Sequence, residues 1–280
     1  MKKYKSFAKI NIGLDVVGRR PDGYHNIRTI MQKVSLSDIL TIEPSDETIL
    51  TSSVSYIPTD ERNLVYKAIL AFREYTKINA NLYVHIQKRI PTQAGLGGGS
   101  SNAATTLLAL NEIYETNLSV SELSSIAVKL GADVPFFLMP SPSMCEGIGE
   151  IITPIAENIP AYYVLIVKPR FSVSTKEAYE RMDNIGITLH PDFDNILPAL
   201  MSADGEMLSK SAINVFEDYA RIRFPQIEEI KQELMNIGAL ASFMSGSGSS
   251  VVGIFKRRPS LMEICEEYRQ NAFVEQFINR

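Results

Sequence analysis

Residues 7 to 16, FAKINIGLDV, alternate: Ala8, Ile10, Ile12, Leu14 and Val16 fall on one side, and Lys9, Asn11 and Asp15 on the other. A period of two is that of a strand with one buried and one polar face. GRRPDGYH (18 to 25) breaks the pattern with turn-forming residues. Short strands are expected at 38 to 43 and 48 to 54, and another at 81 to 90, where NLYVHIQKRI alternates again. Helical spacing governs 61 to 75, through Leu64, Val65, Ala68, Ile69 and Phe72, and 101 to 114, through Ala104, Leu107, Leu108 and Leu110. Ser119 and Glu122 are spaced as a capping box for a helix running to Leu130, with Gly131 as its left-handed end.

FFL (136 to 138) and EIITPI (150 to 155) read as strands around a Pro/Ser-rich link, and ENIP (157 to 160) as the join between domains 1–157 and 158–280. AYYVLIV (161 to 167) is apolar throughout and predicts a buried strand. Helices are expected at 174 to 182, with Ser174 and Glu177 as a second capping box, and at 192 to 201, 206 to 220, 225 to 236 and 259 to 270. FMSGSGSSVVGIF (243 to 255) reads as strand, glycine turn, strand. Strands and helices mix without regular βαβ alternation, which favours an α+β fold over a doubly wound sheet.

Composition narrows the function more than the fold. A chain of 280 residues is long enough for about two domains with a core of their own. With 28 basic and 32 acidic residues the net charge is −4, so bulk electrostatics draws the chain neither to nucleic acid nor to an anionic membrane. Any anionic ligand must be held by a local site. Cys145 and Cys265 lie far apart with no second ligand at metal spacing, which excludes a zinc ribbon or a disulfide framework and fits a reducing cytoplasm. No apolar run reaches the roughly 18 residues of a membrane span, and MKKYK leads into a strand pattern instead of a signal-peptide core.

Glycine is average in number but uneven in place: Gly95, Gly97, Gly98 and Gly99 fall within PTQAGLGGGSSNAA (91 to 104), between an expected strand and an expected helix. Bare backbone N–H groups at a helix start accept phosphate, and glycine lets the chain approach it closely. No Gly-Lys-Ser/Thr ending is present, and Ser100 stands where a dinucleotide fingerprint needs its third glycine. A tightly packed loop with no ligand is the competing reading. Lys9 and Asn11 share a strand face and could reach one cleft, although a lone lysine is most often solvated. Asp133 follows the expected helix end, where a carboxylate opposes the dipole, and there it is either a turn aspartate before Pro135 or a residue with a partner cation. MSGSGSS (244 to 250) alone is a hairpin turn, and His25, His85 and His190 are too scattered for a metal site or a triad. Tyr24 and Tyr179 are either core aromatics or stacking platforms.

Together FAKINIGLDVVGRRPDGYH, IPTQAGLGGGSSNAATTLLALN, LGADVPFF, EGIGEIITP and GALASFMSGSGSS resemble the GHMP kinases, over nearly the whole chain. The resemblance implies a two-domain fold, with a ribosomal protein S5 domain 2-like amino-terminal domain and a ferredoxin-like carboxy-terminal domain. It implies ATP as phosphoryl donor, with Mg²⁺ alongside it, and a small-molecule alcohol as acceptor, with no membrane or nucleic acid involved. GRRPDGYH and LGADVPFF point within the family to a cytidine-diphosphate-linked methylerythritol phosphorylated on its 2-hydroxyl, a step of mevalonate-independent isoprenoid synthesis. A homoserine- or mevalonate-like kinase and a silent nucleotide-binding protein are the alternatives.

By the same resemblance Lys9 and Asp133 are the catalytic pair. Pro91, Thr92, Gln93, Ala94, Gly95, Leu96, Gly97, Gly98, Gly99, Ser100 and Ser101 wrap the ATP phosphates, and Asn63 approaches the adenine. Asn11 orients the erythritol portion, Tyr24 and Tyr179 sandwich the cytosine, His25 fixes its edge, and Thr175, Gly246 and Ser247 complete the substrate site. No residue is assigned to the metal.

Overall fold

The alternation at 7 to 16 is the middle of a longer strand, β1 (Lys2–Arg19), and β2 (His25–Pro44) is longer still. The sequence pattern predicts only the last third of β2. Its middle is buried on both faces, so Thr29, Gln32, Ser37 and Asp38 lie inside beside Ile30, Met31 and Val34, and the polar–apolar rhythm is lost. The computed structural model describes residues 1–279; Arg280, the last residue of the expected second domain, lies outside them. These residues gather into two compact units interleaved along the chain. One holds Met1–Ala8, Leu36–Thr92 and Gly97–Pro140, and the other Lys9–Ser35, Gln93–Leu96 and the chain from Ser141 onward.

In the first unit β3 (Ile49–Ser52) runs parallel to β4 (Leu82–Gln87), and β4 pairs antiparallel with the end of β2, from Ile39 opposite Gln87 to Pro44 opposite Leu82. Helix α1 (Leu64–Thr76) buries Val65, Ala68, Ile69 and Phe72, the periodic residues of its sequence. Helix α2 (Gly98–Ile113) begins three residues earlier than expected, inside the glycine cluster. Helix α3 (Val120–Ala127) carries the Ser119–Glu122 capping box. It ends in turns through Gly131, which does not take a positive φ. FFL is not a strand: Pro135–Leu138 is a 3-10 helix with Pro135 at its start, and Phe136 and Phe137 are both buried, which alternation would not allow.

In the second unit β5 (Ser143–Gly147), unforeseen in the Pro/Ser-rich link, pairs with β2 from Met31 opposite Ser143 to Ile27 opposite Gly147, and β6 (Ile151–Pro154) pairs with β5. β7 (Tyr163–Val167) is the buried apolar strand. Helices α4 (Thr175–Ile185), α5 (Phe193–Ser202), α6 (Gly205–Ser211), α7 (Glu217–Arg223) and α8 (Gln226–Asn236) follow, then β8 (Ala241–Met244), β9 (Val251–Phe255), α9 (Glu266–Arg269) and β10 (Ala272–Ile278). Strands β8, β9, β7 and β10 lie side by side, antiparallel throughout, over a core of Leu165, Val167, Phe216, Ile227, Ile230 and Val251.

Three helix expectations change. Residues 206 to 220 are two helices, because Ala212–Phe216 leaves the helix to bond β1: Leu14 N donates to Ile213 O and Val215 N to Leu14 O. Residues 259 to 270 form only a 3-10 turn and the short α9, and the following strand β10 was not foreseen. At α4 only half the second box forms: Ser174 accepts from Glu177 N, but the Glu177 carboxylate accepts from Tyr219 Oη.

Candidate active site

Glycine at position 95 is dictated by contact. Its φ is +72°, and a Cβ there would lie 1.9 Å from the carbonyl oxygen of Ser245. The stretch Gln93–Leu96 is therefore laid against the MSGSGSS turn with backbone touching backbone. Ser245 Oγ donates to Gly95 O at 2.9 Å and accepts from Asn11 N at 3.2 Å, while Lys9 N donates to Leu96 O at 3.0 Å. Sequence reading gave MSGSGSS no more than a hairpin on local grounds; Ser245, buried and between the two glycine turns, was missed.

Lys9 and Asn11 are buried, and Lys9 Nζ donates to Asn11 Oδ1 at 2.5 Å. Asn11 Nδ2 donates to Thr29 Oγ1, which donates to Gly13 O at 2.6 Å. The chain of bonds fixes the Asn11 amide with its oxygen toward the ammonium. A Cβ on Gly246 would meet Asn11 Oδ1 at 3.4 Å, which puts this turn beside the amide, and Thr175 and Ser247 share a hydroxyl–hydroxyl bond of 2.8 Å. Asn214 Nδ2 donates to both Met244 O and Gly246 O, bracing the turn from behind.

The aromatic residues fall differently from a simple sandwich. His25 stacks on Tyr179, centroids 4.7 Å apart and planes 16° from parallel, and its Nε2 meets Asp183 Oδ1 at 2.8 Å. Tyr179 also meets Phe216 edge-on. Tyr24 is 61% exposed, with its backbone bonded to Asp22 and Arg20.

In the first unit Gly97 takes the left-handed conformation and opens α2, which has no side-chain cap and no acidic residue in its first turn. A helix start of that kind leaves its N–H groups and positive dipole end available to an anion. Pro91 and Thr92 lead into the turn, Gly98, Gly99, Ser100 and Ser101 form the first helical turn, and Ser101 is buried. Asn63 is the N-cap of α1: its Oδ1 accepts from Val65 N and its Nδ2 donates to Pro58 O. An open recess lined by Thr59, Asp60, Glu61, Arg62 and Tyr66 adjoins it. The Arg62 guanidinium, bonded to both Asp60 oxygens, holds that carboxyl down at about 2. Asp133 lies between the turns that follow α3 and the 3-10 helix that starts two residues later. Among the described residues no group of three or more His, Cys, Asp or Glu is arranged to hold a metal.

A glycine turn opening an uncapped helix is a place where an anion such as a phosphate can be held. The family model for the GHMP kinases N terminal domain matches residues 63–141 and that for GHMP kinases C terminal matches 196–274. The chain belongs to the GHMP kinases. It is 42% identical over 279 residues to a 4-diphosphocytidyl-2-C-methyl-D-erythritol kinase of Lachnoclostridium phytofermentans, covering 99% of this chain and 96% of the relative. It is 41% identical over 278 residues to the protein of that name from Clostridium novyi, covering 99% of each. A crystal structure of 4-(cytidine 5'-diphospho)-2C-methyl-D-erythritol kinase superposes with a TM-score of 0.81 at 31% identity, over 99% of both chains. Mevalonate kinase of L. major, at 18% identity and a TM-score of 0.71, shares the fold.

Proposed function

We infer that the protein transfers the γ-phosphoryl group of ATP to the 2-hydroxyl of 4-diphosphocytidyl-2-C-methyl-D-erythritol, a step of mevalonate-independent isoprenoid synthesis. The observation that carries this is the 42% identity over 279 residues, 99% of the chain. In the reaction the alcohol oxygen bonds to the γ-phosphorus, the bond to the bridging oxygen breaks, ADP leaves, and the hydroxyl proton passes to Asp133. Lys9, buried and held by Asn11, neutralises charge on the transferring group. Phosphoryl transfer needs alignment and counter-charge above all. The loop from Pro91 to Ser101 supplies both through N–H groups that need no reorganisation.

Tyr24 is the open stacking face for the cytosine. Tyr179 already carries His25 on one face, so the base takes His25 as its neighbour and its hydrogen-bonding edge. Asn63 spends its amide on capping, and adenine recognition falls to the recess beside it. Mg²⁺ would accompany ATP, and an ion bound largely through phosphate oxygens would need no preassembled carboxylate cluster.

The test is ATP with a panel of alcohols. Phosphorylation of the cytidylyl substrate alone is expected, and transfer to homoserine or mevalonate with that substrate inert would overturn the reading. Asp133→Asn should lower turnover by roughly 10²- to 10⁴-fold with ATP binding little changed. Near-normal turnover would remove Asp133 from its role.

A further inference from the structure

Asp38 has no part in the chemistry above, yet it is fully buried in β2 and surrounded by donors. Its Oδ1 accepts from Arg89 N at 2.7 Å and Ile90 N at 2.8 Å. Its Oδ2 accepts from Lys88 Nζ at 2.9 Å and Asn102 Nδ2 at 3.0 Å. Two of these donors are the backbone amides directly before Pro91. A third belongs to the residue directly after Ser101. One carboxylate therefore ties both ends of the glycine loop.

The rest of the cluster makes that tie rigid. Ser6 Oγ lies 2.6 Å from Asn102 Oδ1 and 2.8 Å from Ser101 Oγ, so the Asn102 amide is oriented with its oxygen toward Ser6 and its nitrogen toward Asp38. Lys88 Nζ also donates to Ile90 O, and a Cβ on Gly98 would meet that ammonium at 3.3 Å and Ile90 Cγ2 at 3.0 Å. Helix start, strand exit and ion pair are packed at van der Waals distance. A buried carboxylate costs more than the valine or isoleucine a buried strand ordinarily carries, unless all its lone pairs are used. Here they are used on the two ends of one loop.

We propose that Asp38 is a positioning residue for ATP: it sets the separation and direction of the two ends of the 91–101 loop, so that the N–H groups between them converge on the phosphates. This rests on the reading of that loop as the phosphate grip. The place suits a side chain that accepts on both oxygens, because every partner is a donor. Asparagine has nearly the same shape but would turn an N–H₂ against Lys88 or Asn102.

Asp38→Asn is predicted to raise KM for ATP and the Kd of a non-hydrolysable ATP analogue at least 10-fold. KM for the alcohol should change less than about threefold, at a temperature where circular dichroism shows the variant folded. A role in stability alone would lower Tm and leave the ATP analogue affinity intact, and that result, or an equal rise in both KM values, would overturn the proposal. If Asp38→Asn does not fold, Asn102→Ala releases only the helix end and should raise KM for ATP three- to tenfold; unchanged ATP binding in this variant counts equally against the proposal. Gly97→Val, which strains the loop at φ +66°, separates the two readings. If it leaves ATP affinity unaltered, the loop is not the phosphate grip. If it weakens ATP binding while Asp38→Asn does not, only the role of Asp38 fails.

Discussion

Between Gln93 and Leu96 the glycine loop is fixed by neutral groups: Lys9 N donates to Leu96 O, Ser250 N to Ala94 O and Ser245 Oγ to Gly95 O. On either side, at Arg89–Ile90 and at Asn102, the same loop is fixed by the buried charge of Asp38. The two anchorings are exposed to opposite kinds of damage. Backbone laid on backbone tolerates no added volume, because nothing there can move aside. A buried carboxylate tolerates no change of charge, because an orphaned donor or ion inside the protein has no solvent to turn to.

Gly95→Ala attacks the neutral half where it is tightest. A methyl group 1.9 Å from Ser245 O, on a residue at φ +72°, cannot be accommodated without parting Gln93–Leu96 from the MSGSGSS turn. The expected cost is about 5 kcal/mol or more, at the far end of single-residue effects, read as a fall in Tm or as failure to accumulate folded protein. A variant within about 1 kcal/mol of wild type would mean that the turn yields, and that the contrast between the two halves is false.

Legibility in the sequence divides along the same line. The glycine half was readable as a tight turn between a strand and a helix, and Gly95 and Gly97 do take positive φ. The charged half was not. Asp38 sits in LSDIL, where an acid next to a serine reads as the polar face of a half-buried strand, and only pairing partners 50 and more residues away reveal it as interior. The long β2 was hidden for the same reason, its Thr29 and Gln32 being buried with partners that periodicity cannot see and Ser37 lying buried with them. Lys9 and Asp133 stood out through the family resemblance; on local pattern one is an ordinary lysine and the other a turn aspartate.

Two buried lysines sharpen the charged side of the comparison. Lys88 is bonded to Asp38, so Lys88→Met strands a carboxylate and should cost about 3–5 kcal/mol. Lys33, 9% exposed on β2, has its pKa pushed down from 10.5 to about 8 by burial. Between those values the unfolded chain binds more protons than the native one, so native stability should rise as pH increases from about 8 to about 10.5. Below that window both states are protonated and the burial penalty stands in full. Lys33→Met should therefore flatten the rise above pH 8, as measured by urea unfolding across the range. A rise that persists unchanged in Lys33→Met would mean that another group carries it.

Ser245→Ala tests how much the neutral half owes to hydrogen bonding, as distinct from close contact. It removes the donor to Gly95 O and leaves Asn11 N, inside the protein, without its acceptor. Two such losses amount to about 1–2 kcal/mol. The effect is held to that size because Asn214 still ties Met244 O and Gly246 O on either side of the substituted position, and because the contact with Gly95 is made by the Ser245 carbonyl, which alanine keeps. The neutral half should thus survive loss of its hydroxyl and fail on gain of a methyl. A drop of 4 kcal/mol or more in a urea titration would reverse that order, and make the hydroxyl, not the missing side chain, the element on which this side of the loop depends.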